Sequence, residues 1–234
     1  MFSLPNLITA LNLFLGCMAC IELVEGHYEP ALILLAGCLL ADFLDGFVAR
    51  MMASDSLLGV QLDSLADVVS FGLAPGLMIF KLMESNGTGM YADTILPYFG
   101  LILPVFAAFR LARFNIETTG VPTHFTGLPV PAMALFFMGY LGGRNFLPEW
   151  MLEDFFLIAC SIIFSLLMIS RLPIIKVIPG KSWMYKYYPM VIAYLICILC
   201  YFAIGMLSLS LLIISHVIIS LFLLRNKNQN TSSL

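Results

Sequence analysis

Residues 42–67 read DFLDGFVARMMASDSLLGVQLDSLAD. Asp42, Asp45, Asp63 and Asp67 fall inside stretches that otherwise have the composition of membrane helices. An ionised carboxylate in a bilayer costs several kcal/mol, roughly 2.5–3.5 on insertion scales. Four of them at close range also repel one another. Hard divalent cations such as Mg²⁺ or Mn²⁺ take oxygen-only donors and reverse that repulsion. No Cys or His joins the cluster, which argues against zinc. Two such ions bridging a diphosphate would stabilise charge developing on phosphoryl oxygens and on the leaving group. The competing chemistry is a proton or cation path through a transporter, where membrane acids also occur.

Helical spacing decides whether these acids act together. Asp42, Asp45, Gly46 and Ala49 follow i, i+3, i+4, i+7 and share one face. Gly59, Asp63, Asp67 and Ser70 follow i, i+4, i+8, i+11 and share another. A short turn near Ala53–Ser56 makes the two helices antiparallel neighbours, so the acidic faces can oppose each other across a cleft. Gly46, Ala49 and Gly59 are small enough for a flat ligand to reach the helix backbones. Small residues also serve close helix packing in membranes. Arg50 stands beside the carboxylates and could meet a phosphate.

The rest of the chain supplies the elements that position this stretch. Of its 234 residues, 61% are hydrophobic and 11% charged. A soluble domain carries about 25% charge, so the solvent of this chain is mostly lipid. No basic stripe with interleaved aromatics points to nucleic acid. The N-terminal MFSLPNLITALNLFLG lacks a basic region and a small-residue cleavage site, so no removable signal peptide is expected. Cys17/Cys20 and Cys197/Cys200 have C-x-x-C spacing, but both pairs lie in apolar runs and read as packing residues. Eight apolar segments approach the length a bilayer requires: roughly 7–24, 30–52, 57–83, 94–114, 128–146, 153–170, 188–205 and 207–224. In the first, Asn6, Thr9 and Asn12 suggest an interfacial start. The short gap at Gly205 implies a tight helical hairpin.

Basic residues orient the segments. With a cytoplasmic N-terminus, Arg50, Arg110, Arg113, Arg171, Lys176, Lys181, Lys186, Arg225 and Lys227 fall on the cytoplasmic side and only Lys81 and Arg144 outside. Both termini and the aspartates are then cytoplasmic. The loop 171–188 mixes basic and aromatic residues and reads as an interfacial connector. It divides a core, 1–170, from a loop and two further helices, 171–225. The polar tail, 226–234, is expected to be disordered.

The full pattern D-x-x-D-G-x-x-A-R-x8-G-x-x-x-D-x-x-x-D is met without a gap by Asp42, Asp45, Gly46, Ala49, Arg50, Gly59, Asp63 and Asp67. It resembles the signature of the CDP-alcohol phosphotransferase family. The resemblance implies an all-α integral membrane protein with a six-helix core, to which the C-terminal hairpin is added, usually as a homodimer. It implies a cytosol-facing site for a CDP-linked lipid and two divalent cations, Mg²⁺ or Mn²⁺. By the family pattern Asp42, Asp45 and Asp63 ligate metal, and Asp67 contributes to the second ion and is also the general base. Gly46, Ala49, Arg50 and Gly59 match positions that contact the cytidine diphosphate.

Three further stretches resemble the phosphatidylserine synthase branch of that family: PNLITALNLFLG at 5–16, DSLADVVSFGLAP at 63–75, and the pair FRLARFN at 109–115 and FTGLPVPA at 125–132. The resemblance implies CDP-diacylglycerol as donor, L-serine as acceptor, and residence in a prokaryotic inner membrane. Arg110 and Arg113 share a face three residues apart. One of them is expected to bind the serine carboxylate or the lipid phosphate, and positive-inside anchoring is the plainer alternative. Asn115 and Ser70 are weaker candidates for orienting serine. Gly127, Pro129 and Pro131 read as loop and helix-start geometry. His124 reads as a surface residue, and His216 as a packing or polar-contact residue. Glycerol 3-phosphate, inositol phosphate, or serine on an archaeal ether lipid stay open as alternatives within the family. A cation-coupled transporter is the alternative outside enzymes.

Overall fold

The computed structural model describes residues 3–52, 56–86, 95–117, 124–175 and 187–231. Residues 53–55 of the expected turn, Asp55 among them, lie outside these, as do Lys176, Lys181 and Lys186 of the expected basic loop. The side chains of His124, Arg225 and Lys227 also lie outside the description.

The chain is helical along nearly all of the described residues. Helices α1 (Leu4–Glu25) and α2 (Tyr28–Met52) form a hairpin. Helix α3 (Leu57–Asp67) starts at Ser56, whose hydroxyl accepts from the Gly59 N–H at 3.0 Å, an N-cap. A π-helical stretch, Val68–Leu73, joins α3 to α4 (Ala74–Asn86). Pro75 accounts for it. Proline lacks an N–H and its ring crowds the carbonyl four residues back. The widened turn absorbs this, with the Ala74 N–H bonding back to the Val69 carbonyl. A 3₁₀ turn, Leu96–Leu101, leads into α5 (Ile102–Glu117). Then come α6 (Val130–Gly142), the short α7 (Glu149–Leu152), α8 (Asp154–Ile169), α9 (Tyr188–Ile204) and α10 (Leu207–Thr231).

Every apolar segment read from the sequence is thus helical. Among the described residues, four stretches are long and apolar enough to cross a membrane: Leu4–Glu25, Tyr28–Met52, Leu57–Ser85 and Leu96–Glu117. The others are shorter apolar helices. The segment expected over 128–146 is a 13-residue helix, because Gly143 caps it and Pro148 stands close beyond. α10 stays helical through Thr231, into the tail expected to be disordered, since no Pro or Gly interrupts 224–231. Large apolar side chains such as Phe14, Ile33, Phe43, Phe109 and Phe202 are exposed on these helices, the pattern of a chain solvated by lipid.

The chain divides into two compact units. The first comprises Met1–Thr118 and Leu147–Leu166. Small residues let its backbones approach. A Cβ on Gly16 would lie 2.9 Å from Ser70 Cβ, and one on Gly100 would lie 2.5 Å from the Gly76 carbonyl oxygen. Gly72 meets Ala107 and Pro104 of α5 in the same way. Phe71, Met78, Ile79 and Leu103 fill the space between these contacts.

The second unit comprises Thr119–Phe146 and Leu167–Leu234. Its α10 packs on α6, where a Cβ on Gly139 would lie 2.7 Å from the Met206 carbonyl oxygen. Ser210 donates to the Phe136 carbonyl at 2.7 Å. α9 and α10 form the hairpin expected at Gly205, whose φ of +56° is a conformation glycine adopts at no steric cost. Strands β1 (His124–Thr126) and β2 (Pro173–Ile175) pair antiparallel, Phe125 opposite Ile174, a ladder the all-helical expectation did not contain. Gly127, the loop residue picked out from the sequence, has φ +74°, and a Cβ there would fall 2.4 Å from the Met168 carbonyl oxygen. His216 gains a partner in Tyr194, whose hydroxyl lies 2.6 Å from Nδ1. The six cysteines are free thiols.

Candidate active site

All the residues singled out in the 42–70 stretch and in 110–115 belong to the first unit. Asp42 and Asp45 sit on α2, Asp63 and Asp67 on α3. Asp42, Asp63 and Asp67 each bring a carboxylate oxygen within 4.8 Å of the other two. Asp45 is held differently. Its Oδ2 accepts from the Thr9 hydroxyl of α1 at 2.6 Å. Together with Gly46, Ala49, Arg50, Gly59 and Asp63 it lines a cavity of about 190 Å³. Asn6, Thr9 and Ser56 also line it, with Pro5 and Val60. The Arg50 guanidinium lies over Gly46, 3.4 Å from where a Cβ would be. A Cβ on Gly59 would lie 3.0 Å from Asn6 Oδ1. Both glycines therefore keep the cavity open.

The carboxylate trio fits a cation. Asp63 Oδ1 and Asp67 Oδ1 are buried and have no hydrogen-bond partner. An unpaired buried polar atom costs about 1–3 kcal/mol, and more when charged. Three converging carboxylates with free oxygens are a donor set for a hard divalent ion. Arg110 on α5, half-buried, has electrostatic contact with Asp67, and its Nε is buried without a hydrogen-bond partner.

The other expected residues part company here. Arg113 Nε donates to Glu117 at 3.0 Å along an exposed edge of α5. Asn115 Nδ2 donates to Ser64 Oγ at 2.9 Å, pinning α5 to α3. Ser70 is fully buried, and its hydroxyl proton goes to the Ala66 carbonyl at 2.9 Å. Three features had been missed: the Thr9–Asp45 bond, the Asn6 wall of the cavity, and the π turn after Asp67. The first two had a signal in the sequence. Asn6, Thr9 and Asn12 recur at three-residue spacing on an apolar helix, and polar residues in such a helix face the bundle interior.

The fold and the site together define a predominantly helical membrane protein whose first unit holds a trio of carboxylates that could take a cation. A family model, CDP-alcohol phosphatidyltransferase, matches residues 2–167, and the chain belongs to that family. Members of the family use divalent cations, in keeping with the trio. The chain is 40% identical over 138 residues to a CDP-diacylglycerol–serine O-phosphatidyltransferase of Helicobacter pylori, covering 58% of this chain and 55% of the relative. It is 33% identical over 180 residues to the enzyme of that name from Mycobacterium leprae, covering 74% and 58%. It is 34% identical over 135 residues to an archaetidylserine synthase of Methanothermobacter thermautotrophicus, covering 57% and 55%. The chain thus spans a little over half the length of these curated relatives.

Proposed function

We propose that the protein transfers a phosphatidyl group from CDP-diacylglycerol to the hydroxyl of L-serine, giving phosphatidylserine and CMP. The observation that carries this reading is the carboxylate trio beside the small-residue cavity, together with relatives whose names specify serine on both acyl and archaeal lipids. In this reading Gly46, Ala49, Arg50 and Gly59 receive the cytidine diphosphate, the glycines by leaving room and Arg50 by pairing with phosphate. Asp42, Asp45, Asp63 and Asp67 hold two divalent cations, Mg²⁺ or Mn²⁺. When bound, these supply Lewis acidity toward the phosphoryl oxygens and the leaving group.

Asp67 accepts the proton of the serine hydroxyl as that oxygen attacks. The new bond forms between the serine oxygen and the phosphorus that bears diacylglycerol. The bond from that phosphorus to the bridging oxygen breaks, and CMP departs with the electron pair. Direct displacement is favoured because no Ser–His or Cys–His nucleophile pair stands among the described residues of the site. Arg110 is the better placed of the two arginines to hold an anionic group of the substrates, since it is half-buried in electrostatic contact with Asp67 and its buried Nε has no hydrogen-bond partner. The reading places the site and both termini at the cytoplasmic face of a prokaryotic inner membrane. It assigns catalysis to residues 1–170, with 171–225 accessory, in a homodimer.

The acceptor is tested by giving the purified full chain CDP-diacylglycerol, Mn²⁺ or Mg²⁺, and labelled serine, glycerol 3-phosphate or inositol phosphate. Label should enter lipid from serine. Label entering only from another alcohol would overturn the serine assignment.

A further inference from the structure

Asn12 is fully buried in α1, and neither its Oδ1 nor its Nδ2 has a hydrogen-bond partner. Two contacts fix its level in the bundle. Gly59 meets Asn6, and Ser70 meets Gly16. Helices α1 and α3 therefore run parallel, and Asn12 falls opposite the turn that carries Asp63 and Asp67. On its other side α2 passes close, with the Cys38 thiol donating to the Asn12 carbonyl at 3.5 Å. At 100° per residue, Gly59 and Ser70 point toward α1 and Ser64, bonded to Asn115, points toward α5. Asp63 and Asp67 fall between these directions. Asp67 thus lies between the helix that carries this orphaned amide and the helix whose Arg110, in electrostatic contact with it, keeps an orphaned guanidinium N–H.

A buried amide with both ends unpaired forfeits the hydrogen bonds it would make in water. An apolar residue of similar volume would avoid that cost, so the cost marks a ligand position rather than a packing device. An amide offers one acceptor and two donors. It suits a head group that presents an ammonium and an oxygen within a few ångströms of the attacking hydroxyl. Thr9, one turn nearer the helix start, already serves Asp45, so the deeper Asn12 is left for the second substrate.

We propose that Asn12 is an acceptor-binding residue that recognises the amino-acid head group in front of Asp67. Oδ1 accepts from the ammonium, and Nδ2 donates to an oxygen of the same molecule. The inference rests on the amino-acid acceptor proposed above.

The test uses the purified full chain and compares wild type with Asn12→Leu and Asn12→Ala. CMP release is measured against serine and CDP-diacylglycerol in turn, and thermal unfolding is followed in the same detergent. Leucine, which fills the site and removes the unpaired amide, should unfold no earlier than wild type. Both variants should raise the serine KM about tenfold or more and leave the CDP-diacylglycerol KM within about twofold. An unchanged serine KM in both variants overturns the proposal while wild-type serine turnover leaves the enzymatic reading standing. A rise in the donor KM alone, or an equal rise in both with earlier unfolding of both variants, assigns Asn12 to the donor or to packing and also overturns it. Wild-type protein that releases CMP with glycerol 3-phosphate and not with serine overturns both readings.

Discussion

Thr9 on α1 donates its hydroxyl to Asp45 Oδ2 on α2 at 2.6 Å. One acid of the motif is thereby tied to the first helix, while the other three converge on one another. Both residues line the cavity that Gly46 and Gly59 keep open. Hydrogen bonds to charged groups contribute about 1.5–3 kcal/mol. Thr9→Val keeps the shape and removes the donor. It should raise the KM for CDP-diacylglycerol about tenfold and leave the serine KM nearly unchanged, read from initial rates of CMP release.

The two arginines of α5 separate by their surroundings. Arg113 pairs with Glu117 at an exposed edge, a contact worth about 0.3–0.5 kcal/mol. Arg110 is half-buried in electrostatic contact with Asp67 and has a buried, unpaired Nε. A lysine cannot reproduce the planar guanidinium fork. Arg110→Lys should therefore lower kcat/KM by about 10–100-fold, and Arg113→Lys by less than about twofold. Equal losses in steady-state rates would show that both guanidinium groups reach substrate.

The contact of Gly16 with Ser70 holds α1 against the π turn that follows Asp67. Overpacking of this kind costs about 1–3 kcal/mol. Gly16→Ala should lower the unfolding temperature in detergent, and the added change Ser70→Gly should restore part of it by removing the colliding Cβ. A single variant as stable as wild type would mean the helices separate without penalty.

The proposed direct displacement fixes a stereochemical outcome. One in-line attack inverts configuration at phosphorus, whereas passage through a covalent phosphatidyl-enzyme inverts it twice. CDP-diacylglycerol made chiral at the reacting phosphorus with oxygen isotopes should yield phosphatidylserine of inverted configuration. Net retention would require a nucleophile that the proposed mechanism does not contain.

Much of this was readable in the residues. The eight apolar runs are helical among the described residues, and helical periodicity, which is local, set Asp42 on one face and Asp63 and Asp67 on another, faces that meet in the fold. What the residues hid depends on contacts between distant segments. The pairing of Phe125 with Ile174 brings together two three-residue strands, too short to announce themselves by alternation. The packing of α10 on α6 rests on Gly139, Gly143 and Ser210, small residues whose partners no periodicity names. The π turn at 68–73 was foreshadowed by Pro75, yet a proline signals a disturbance without specifying its form. Thr9 was visible as a polar residue in an apolar helix. Its bond to Asp45 became evident only once α1 lay against α2.

In the proposed reaction the aspartate centre moves a phosphatidyl group onto serine. Its most direct test is serine-dependent CMP release from CDP-diacylglycerol by the full chain with Mn²⁺ or Mg²⁺, wild type against Asp67→Asn. Loss of a general base typically costs about 10²–10⁴-fold, and loss of a cation ligand should add to it. CMP release should require serine, match the phosphatidylserine formed, and fall by at least about 10²-fold in Asp67→Asn. CMP release that ignores serine, or that persists at wild-type rate in Asp67→Asn, would contradict that reaction.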